Sequence, residues 1–260
     1  VHEARTLTEY AAANPRLVER GWRAFLVRRN VGTIKDLNVQ QPAYFVALDS
    51  ALTDVPLADW RTYLTWHVAQ QASPYLSSKF VAEDFSFAKT LTGTTELLPR
   101  WKRCLQYTDV ALGEALGQLY VEKHFTPAAK ARAQDMVANL IAAMHDRIAG
   151  LSWMSDSTRQ QALGKLAAFQ RKIGYPDKWR DYSALQVRRD AFASDVRAAN
   201  VFETRRRLAK IGKPVDRGEW GMTPPTVNAY YNSRMNDINF PAGILQPPLF
   251  DPKMDDAPNF

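Results

Sequence analysis

The chain has 260 residues, 46% of them apolar and 23% charged, a composition that excludes a disordered chain and suffices for a buried core. Lys plus Arg number 34 against 27 Asp plus Glu, a net charge of +7. The surplus is dispersed, and its densest cluster, Arg205, Arg206, Arg207 and Lys210, reads as a solvated helix face rather than a nucleic-acid footprint, because no aromatic residues are interleaved with it. No apolar run approaches the roughly 20 residues of a membrane-spanning helix. The single cysteine, Cys104, has no internal disulfide partner and reads as a small buried hydrophobe.

In chain order, LTEYAAANP predicts a short helix closed at Asn14-Pro15, since the residue before proline is pushed out of helical angles. RGWRAFLVRRN predicts a further short helix or a turn, and NVQQPAYFVALDSALTDVP an extended approach to Pro42 followed by a helix. From Pro56, apolar residues Leu57, Trp60, Leu64, Val68, Ala72 and Tyr75 recur at three- and four-residue steps, one stripe of a helix. His67 lies near that stripe and reads as a core histidine. The stretch from Thr95 to Phe125 reads as one long or broken helix. Thr126-Pro127 is a hydroxyl N-cap with proline at the first helical position. The helix behind it has Ala133, Met136, Leu140, Met144 and Ile148 on one side and stops at Gly150, where a left-handed cap is expected. A further helix starts at Ser155 or Asp156, with Ala162, Leu166, Phe169 and Ile173 as its stripe, and Gly174 and Pro176 end it. A last long helix is predicted from about Ala184 to Ile211.

After Lys213 the helical rhythm stops. TVNAYYN has the β-favouring residues of a strand, SRMND the residues of a turn, and INF those of a returning strand that ends at Pro241, which lacks the amide donor for a sheet ladder. A hairpin strand with a free edge can accept an extended peptide as one more strand, through backbone bonds that ignore sequence. Ala229 is small enough for close backbone approach, and the Asn228 amide has both a donor and an acceptor to match a peptide bond. The residues alone equally allow an ordinary hairpin whose asparagine caps a turn.

The run VNAYYNSRMNDINFPAGILQPPLFDP resembles the segment preceding the zinc helix in the neprilysin family of metallopeptidases, the M13 family. PRWKRC, GEALGQLYVEKHF, LSWMSDSTRQQALGKL, KIGYPDKW and KPVDRGEW resemble the same family, so the likeness spans most of the chain from about Gln41. The resemblance implies a mainly α chain: a large helical gating domain, its later part at residues 1–172, followed at 173–260 by the β-hairpin start of a thermolysin-like α+β catalytic domain. It implies that Asn228 and Ala229 bind substrate backbone. Ile244 and Leu249 fall where the family lines the pocket for the side chain just after the cleaved bond, with Leu249 replacing the more usual Phe.

The family's chemistry uses a zinc ion held by His-Glu-x-x-His on a helix, with the glutamate as base. The four histidines here are His2, His67, His124 and His145, and none begins that motif. In the family the zinc helix follows soon after the stretch matching the last residues here. The expectation is therefore a zinc endopeptidase or oligopeptidase whose Zn2+ ligands and catalytic residues lie outside this segment, which alone is inactive. The partners implied are a peptide substrate and the C-terminal catalytic part, with no nucleic acid. Location is expected to be extracytoplasmic (periplasmic, secreted or cell-surface), and a membrane anchor outside these residues is compatible with the family. The alternative is a non-catalytic helical peptide-binding or scaffold module.

Overall fold

Thr6 opens the first helix with a capping box: its hydroxyl accepts from the Glu9 N–H, and the Glu9 carboxylate accepts from the Thr6 N–H. The structure is a computed structural model that describes residues 2–17, 23–29, 34 and 36–260. The elements are β1 (His2–Thr6), α1 (Leu7–Ala13), α2 (Pro15–Leu17), α3 (Arg23–Arg28), β2 (Asp36–Gln40), α4 (Pro42–Asp54), α5 (Leu57–Ala72), α6 (Ser78–Thr92), α7 (Arg100–His124), α8 (Pro127–Ala149), α9 (Asp156–Ala167), β3 (Gln170–Gly174), α10 (Phe192–Leu208), β4 (Tyr230–Asn232), β5 (Asp237–Pro241) and α11 (Asp256–Asn259). Among the described residues the chain is mainly helical with two small sheets, in agreement with the predicted class. Packing divides it into two compact units, Val1–Leu98 with Leu185–Pro214, and Pro99–Ala184 with Val215–Phe260.

In the first unit, β1 and β2 pair antiparallel with His2 opposite Gln40. Tyr10 is buried, edge-on to Phe45 with ring centroids 5.7 Å apart. The predicted early helix is α1, ended by Asn14 ahead of Pro15. The run RGWRAFLVRRN contains α3, and its residues 20–22 and 30 lie outside the described residues. The stripe from Leu57 onward lies on α5, a helix as predicted, with Leu57, Leu64 and Val68 all more than half exposed. Periodicity makes an apolar face, whereas burial needs an element packed on it: Trp60, Ala72 and Tyr75 of this stripe are partly buried and the rest is exposed. Two expectations are corrected. His67 is half-buried rather than a core histidine, and lies edge-on to Tyr63 and Trp66. The last long helix starts at Phe192 rather than near Ala184, because Asp195 Oδ1 takes the Arg188 N–H at 3.1 Å and holds the preceding run off the helical path. Phe192 then meets Tyr75 edge-on at 5.9 Å, so this helix packs on the segment between α5 and α6.

In the second unit, α7 is one helix kinked at Leu112, where φ is −134° and ψ is 29°. Cys104 on α7 is half-buried, not buried as predicted. Thr126 caps α8 as expected, its Oγ1 accepting from the Ala129 N–H at 3.2 Å. Gly150 ends α8 in a right-handed conformation with φ −89°, not the predicted left-handed one. The buried face of α8 is rotated from the predicted stripe: Ala129, Ala133 and Val137 are buried, whereas Leu140 and Met144 are half exposed. α9 starts at its Ser155 cap but ends at Ala167, and the predicted continuation to Gly174 is instead β3. Phe169 and Ile173, four apart, suit either element. The ladder to β5 decides, with Gln170 opposite Asp237 and Gly174 opposite Pro241 in parallel register. β5 also pairs antiparallel with β4, giving the order β3-β5-β4. One core joins Phe125, Ala133, Ile173, Ala242, Leu245 and Phe250. The boundary expected between residues 172 and 173 falls inside β3. Among the described residues no helix is long and apolar enough to cross a membrane.

Candidate functional site

β4 is an edge strand of its sheet, because β5 covers only one side of it. It is shorter than the predicted strand: Tyr230–Asn232 pair with β5, while residues 226–229 have no regular structure. The ladder register explains the stop. Tyr230 pairs with Asn239, so Asn228 would fall opposite Pro241, which has no N–H to give. Asn228 is exposed, and its Oδ1 accepts from the Ala229 N–H at 2.8 Å. Ala229 is half-buried, directly ahead of Tyr230.

The run leading to this edge is held from several sides. A Cβ on Gly117 would lie 2.6 Å from Pro224 Cδ, and one on Gly113 would collide with the Thr223 methyl, so α7 admits the Thr223 and Pro224 side chains this closely only through its glycines. The Thr223 hydroxyl donates to Asp109 at 2.8 Å. Beyond β5, the Gly243 N–H donates to the Pro224 carbonyl at 2.8 Å, packing the 241–244 turn on the same run. The Tyr230 hydroxyl accepts from the Gly221 N–H at 2.6 Å. Burial pushes the Tyr230 phenol above its ordinary pKa, and the negative charges of Asp237 and Glu219 add to it, against the Gly221 hydrogen bond. Ile244 sits in that turn and packs against the core, whereas Leu249 is 61% exposed. After Leu249, Arg132 of α8 clamps the chain by donating to the Pro252 and Met254 carbonyls and pairing with Asp256 at 2.8 Å.

Two features escaped the sequence reading. The first is a buried ion pair under the sheet, Lys172 Nζ to Asp237 Oδ2 at 2.6 Å. Lys172 also donates to the Glu219 carbonyl at 2.6 Å, and Asp237 Oδ1 accepts from Asn239 Nδ2 at 2.7 Å. The second is Glu114 of α7, buried against Arg180 at 2.9 Å and accepting the Arg180 N–H at 2.7 Å. Strand alternation puts Lys172, Asp237 and Asn239 on one face, but only the register, set by residues 65 apart in sequence, brings the pair together.

The residues present do not fit a zinc ion. Among the described residues no three His, Cys, Asp or Glu side chains converge to hold a metal. His124 faces the Tyr120 ring at 5.2 Å, and His145 pairs with the neighbouring Asp146 at 3.2 Å.

Two profiles described as peptidase family M13 match the chain, over residues 2–176 and 228–260. Among solved structures, the Mycobacterium tuberculosis zinc metalloprotease Zmp1 in its open state is 42% identical with a TM-score of 0.87, covering 98% of this chain and 40% of that one. PepO from Lactobacillus rhamnosis HN001 is 28% identical with a TM-score of 0.86, covering 99% of this chain and 41% of that one. Neprilysin of Mus musculus is 30% identical over 242 residues, 90% of this chain and 32% of its own length. The chain belongs to peptidase family M13. It spans about a third of the length of neprilysin.

Proposed function

We propose that these residues are part of a zinc-dependent endopeptidase or oligopeptidase of neprilysin type, to which they contribute a helical gate and the strand on which the peptide docks. The observation that carries this reading is the free side of β4, with Asn228 and Ala229 running straight into it. An extended peptide placed there completes a ladder that β5 leaves open, and its backbone finds the Asn228 amide beside it. Ile244 and Leu249 then line the pocket for the side chain after the cleaved bond, which favours bulky apolar residues. The turn packed on Pro224 keeps that wall near the docking run.

The gate comprises the helices up to about residue 172, and the catalytic part opens with the sheet strand that follows. The first family profile ends at residue 176, in support of a division close to this point. The zinc ligands and the groups that act on the scissile bond are assigned to the parent chain outside these 260 residues, and the name of Zmp1 as a zinc metalloprotease supports the metal. The parent works outside the cytoplasm, on peptides. Zinc content and peptide hydrolysis, measured on the purified 260-residue chain and on its parent, test the reading. Zinc and cleavage are expected in the parent alone. Stoichiometric zinc together with hydrolysis by the 260-residue chain contradicts it.

A further inference from the structure

The β3-β5-β4 sheet presents two chemically different faces. Register and alternation place Lys172, Asp237, Asn239 and Tyr230 on one face, where the first three are buried. On the other face one row crosses all three strands: Arg171 stands opposite Ile238, and Ile238 opposite Tyr231. Tyr231 closes this row at the free edge and is half exposed. Its ring stacks on Phe169 with centroids 6.1 Å apart and planes 15° from parallel. Lys165 Nζ lies 5.8 Å from the centre of the same ring. The Tyr231 hydroxyl donates to Asn236 Oδ1 at 3.2 Å, and Asn236 Nδ2 donates to the Lys165 carbonyl at 2.8 Å, which ties the ring to the end of α9. Lys165 and Arg171 are exposed, and neither has a carboxylate partner among the described residues.

A strand added to β4 sets one of its residues directly beside Tyr231 on this face, with Cβ atoms about 5 Å apart. The side chain at that position meets an aromatic shelf with an ammonium group over it and no anion among its partners. A carboxylate there gains an ion pair with Lys165 while its methylene groups lie on the ring. A lysine or arginine there is repelled. Arg171 is about two strand spacings, roughly 10 Å, from Tyr231 and adds to the local field without touching the added strand.

We propose that Lys165 and Tyr231 form a specificity-determining subsite that selects an acidic side chain, Glu or Asp, in the peptide residue paired beside Tyr231. This rests on the peptidase reading above and names a substrate class for that docking edge: peptides with an acidic residue close to the cleaved bond. The test uses the full-length parent and a series of internally quenched peptides in which Glu, or its isostere Gln, is moved one position at a time. At low salt, one position is expected to show a Glu-over-Gln preference in kcat/KM of about two- to fivefold, the range of a partly exposed ion pair. The preference should vanish near 1 M salt, where the screening length is about 3 Å. It should fall to unity in Lys165→Gln and turn into a preference for Lys over Gln in Lys165→Glu. A Glu/Gln ratio unchanged in Lys165→Gln, or no discriminating position in the wild type, overturns the subsite while leaving the peptidase reading intact. Failure of the parent to cleave any of the peptides overturns the reading itself, and the subsite with it.

Discussion

Lys172 and Asp237 are 9% and 1% exposed, so each charge depends on the other for solvation. Breaking such a pair leaves one charge buried alone, which costs more than the pair contributes as a whole. Lys172→Met is therefore expected to destabilise the protein by about 3–5 kcal/mol in urea unfolding, and Lys172→Met with Asp237→Leu by much less. Tyr10, which is buried, and Tyr120, Tyr182 and Tyr230, which are half-buried, all have phenol pKa values raised above 10.0, mainly by burial. The sign follows from proton counting. Below pH 10 the phenols are neutral in both folded and unfolded chains and add no pH dependence; above it the unfolded chain ionises first, so stability falls as pH rises. An ultraviolet titration should show these four tyrosines ionising at higher pH in the folded protein than in the unfolded one. None of these buried contacts was legible in the sequence. Lys172 and Asp237 look like ordinary surface charges until the strand register is known.

Elements were legible where the signal is local. The Thr126 and Ser155 caps, the break before Pro15 and the end of β5 at Pro241 all rest on one or two residues acting on their own backbone. Reading failed where a distant partner decides. β3 has helix-compatible spacing and becomes a strand because β5, more than sixty residues later, offers a ladder. β4 is cut to three residues because its partner reaches a proline. The free side of β4 was legible only as a property of hairpins in general, and which side stays open followed from the sheet order. The turn after β5 offers a test of how the docking run is held. A Cβ on Gly243 would lie 2.6 Å from the Pro225 carbonyl carbon and 2.7 Å from the Thr226 oxygen, both backbone atoms that have no rotamer to change. Gly243→Ala is expected to cost about 1–3 kcal/mol by overpacking. In the parent enzyme it should raise KM for peptides more than it lowers kcat, because the Pro224–Thr226 run that leads into Asn228 must shift. An unchanged KM in a stable Gly243→Ala parent would show that this run does not set the docking edge.

Taken whole, the described residues are mainly helical with two small sheets, and the chain belongs to peptidase family M13. Composition and periodicity alone led only to a mainly helical globular protein. One long motif around VNAYY and FPAGILQPP singled out the family, because that ribbon combines a strand edge, a proline stop and a tight turn in fixed order. The open side of β4 is proposed to receive substrate. The most direct test is an experimental structure of the parent protein with a peptide-like inhibitor bound. Inhibitor backbone is expected to be hydrogen-bonded along residues 228–232, with the side chain after the scissile position against Ile244 and Leu249. An inhibitor seated elsewhere, with β4 paired to another strand of the parent's own chain, contradicts it.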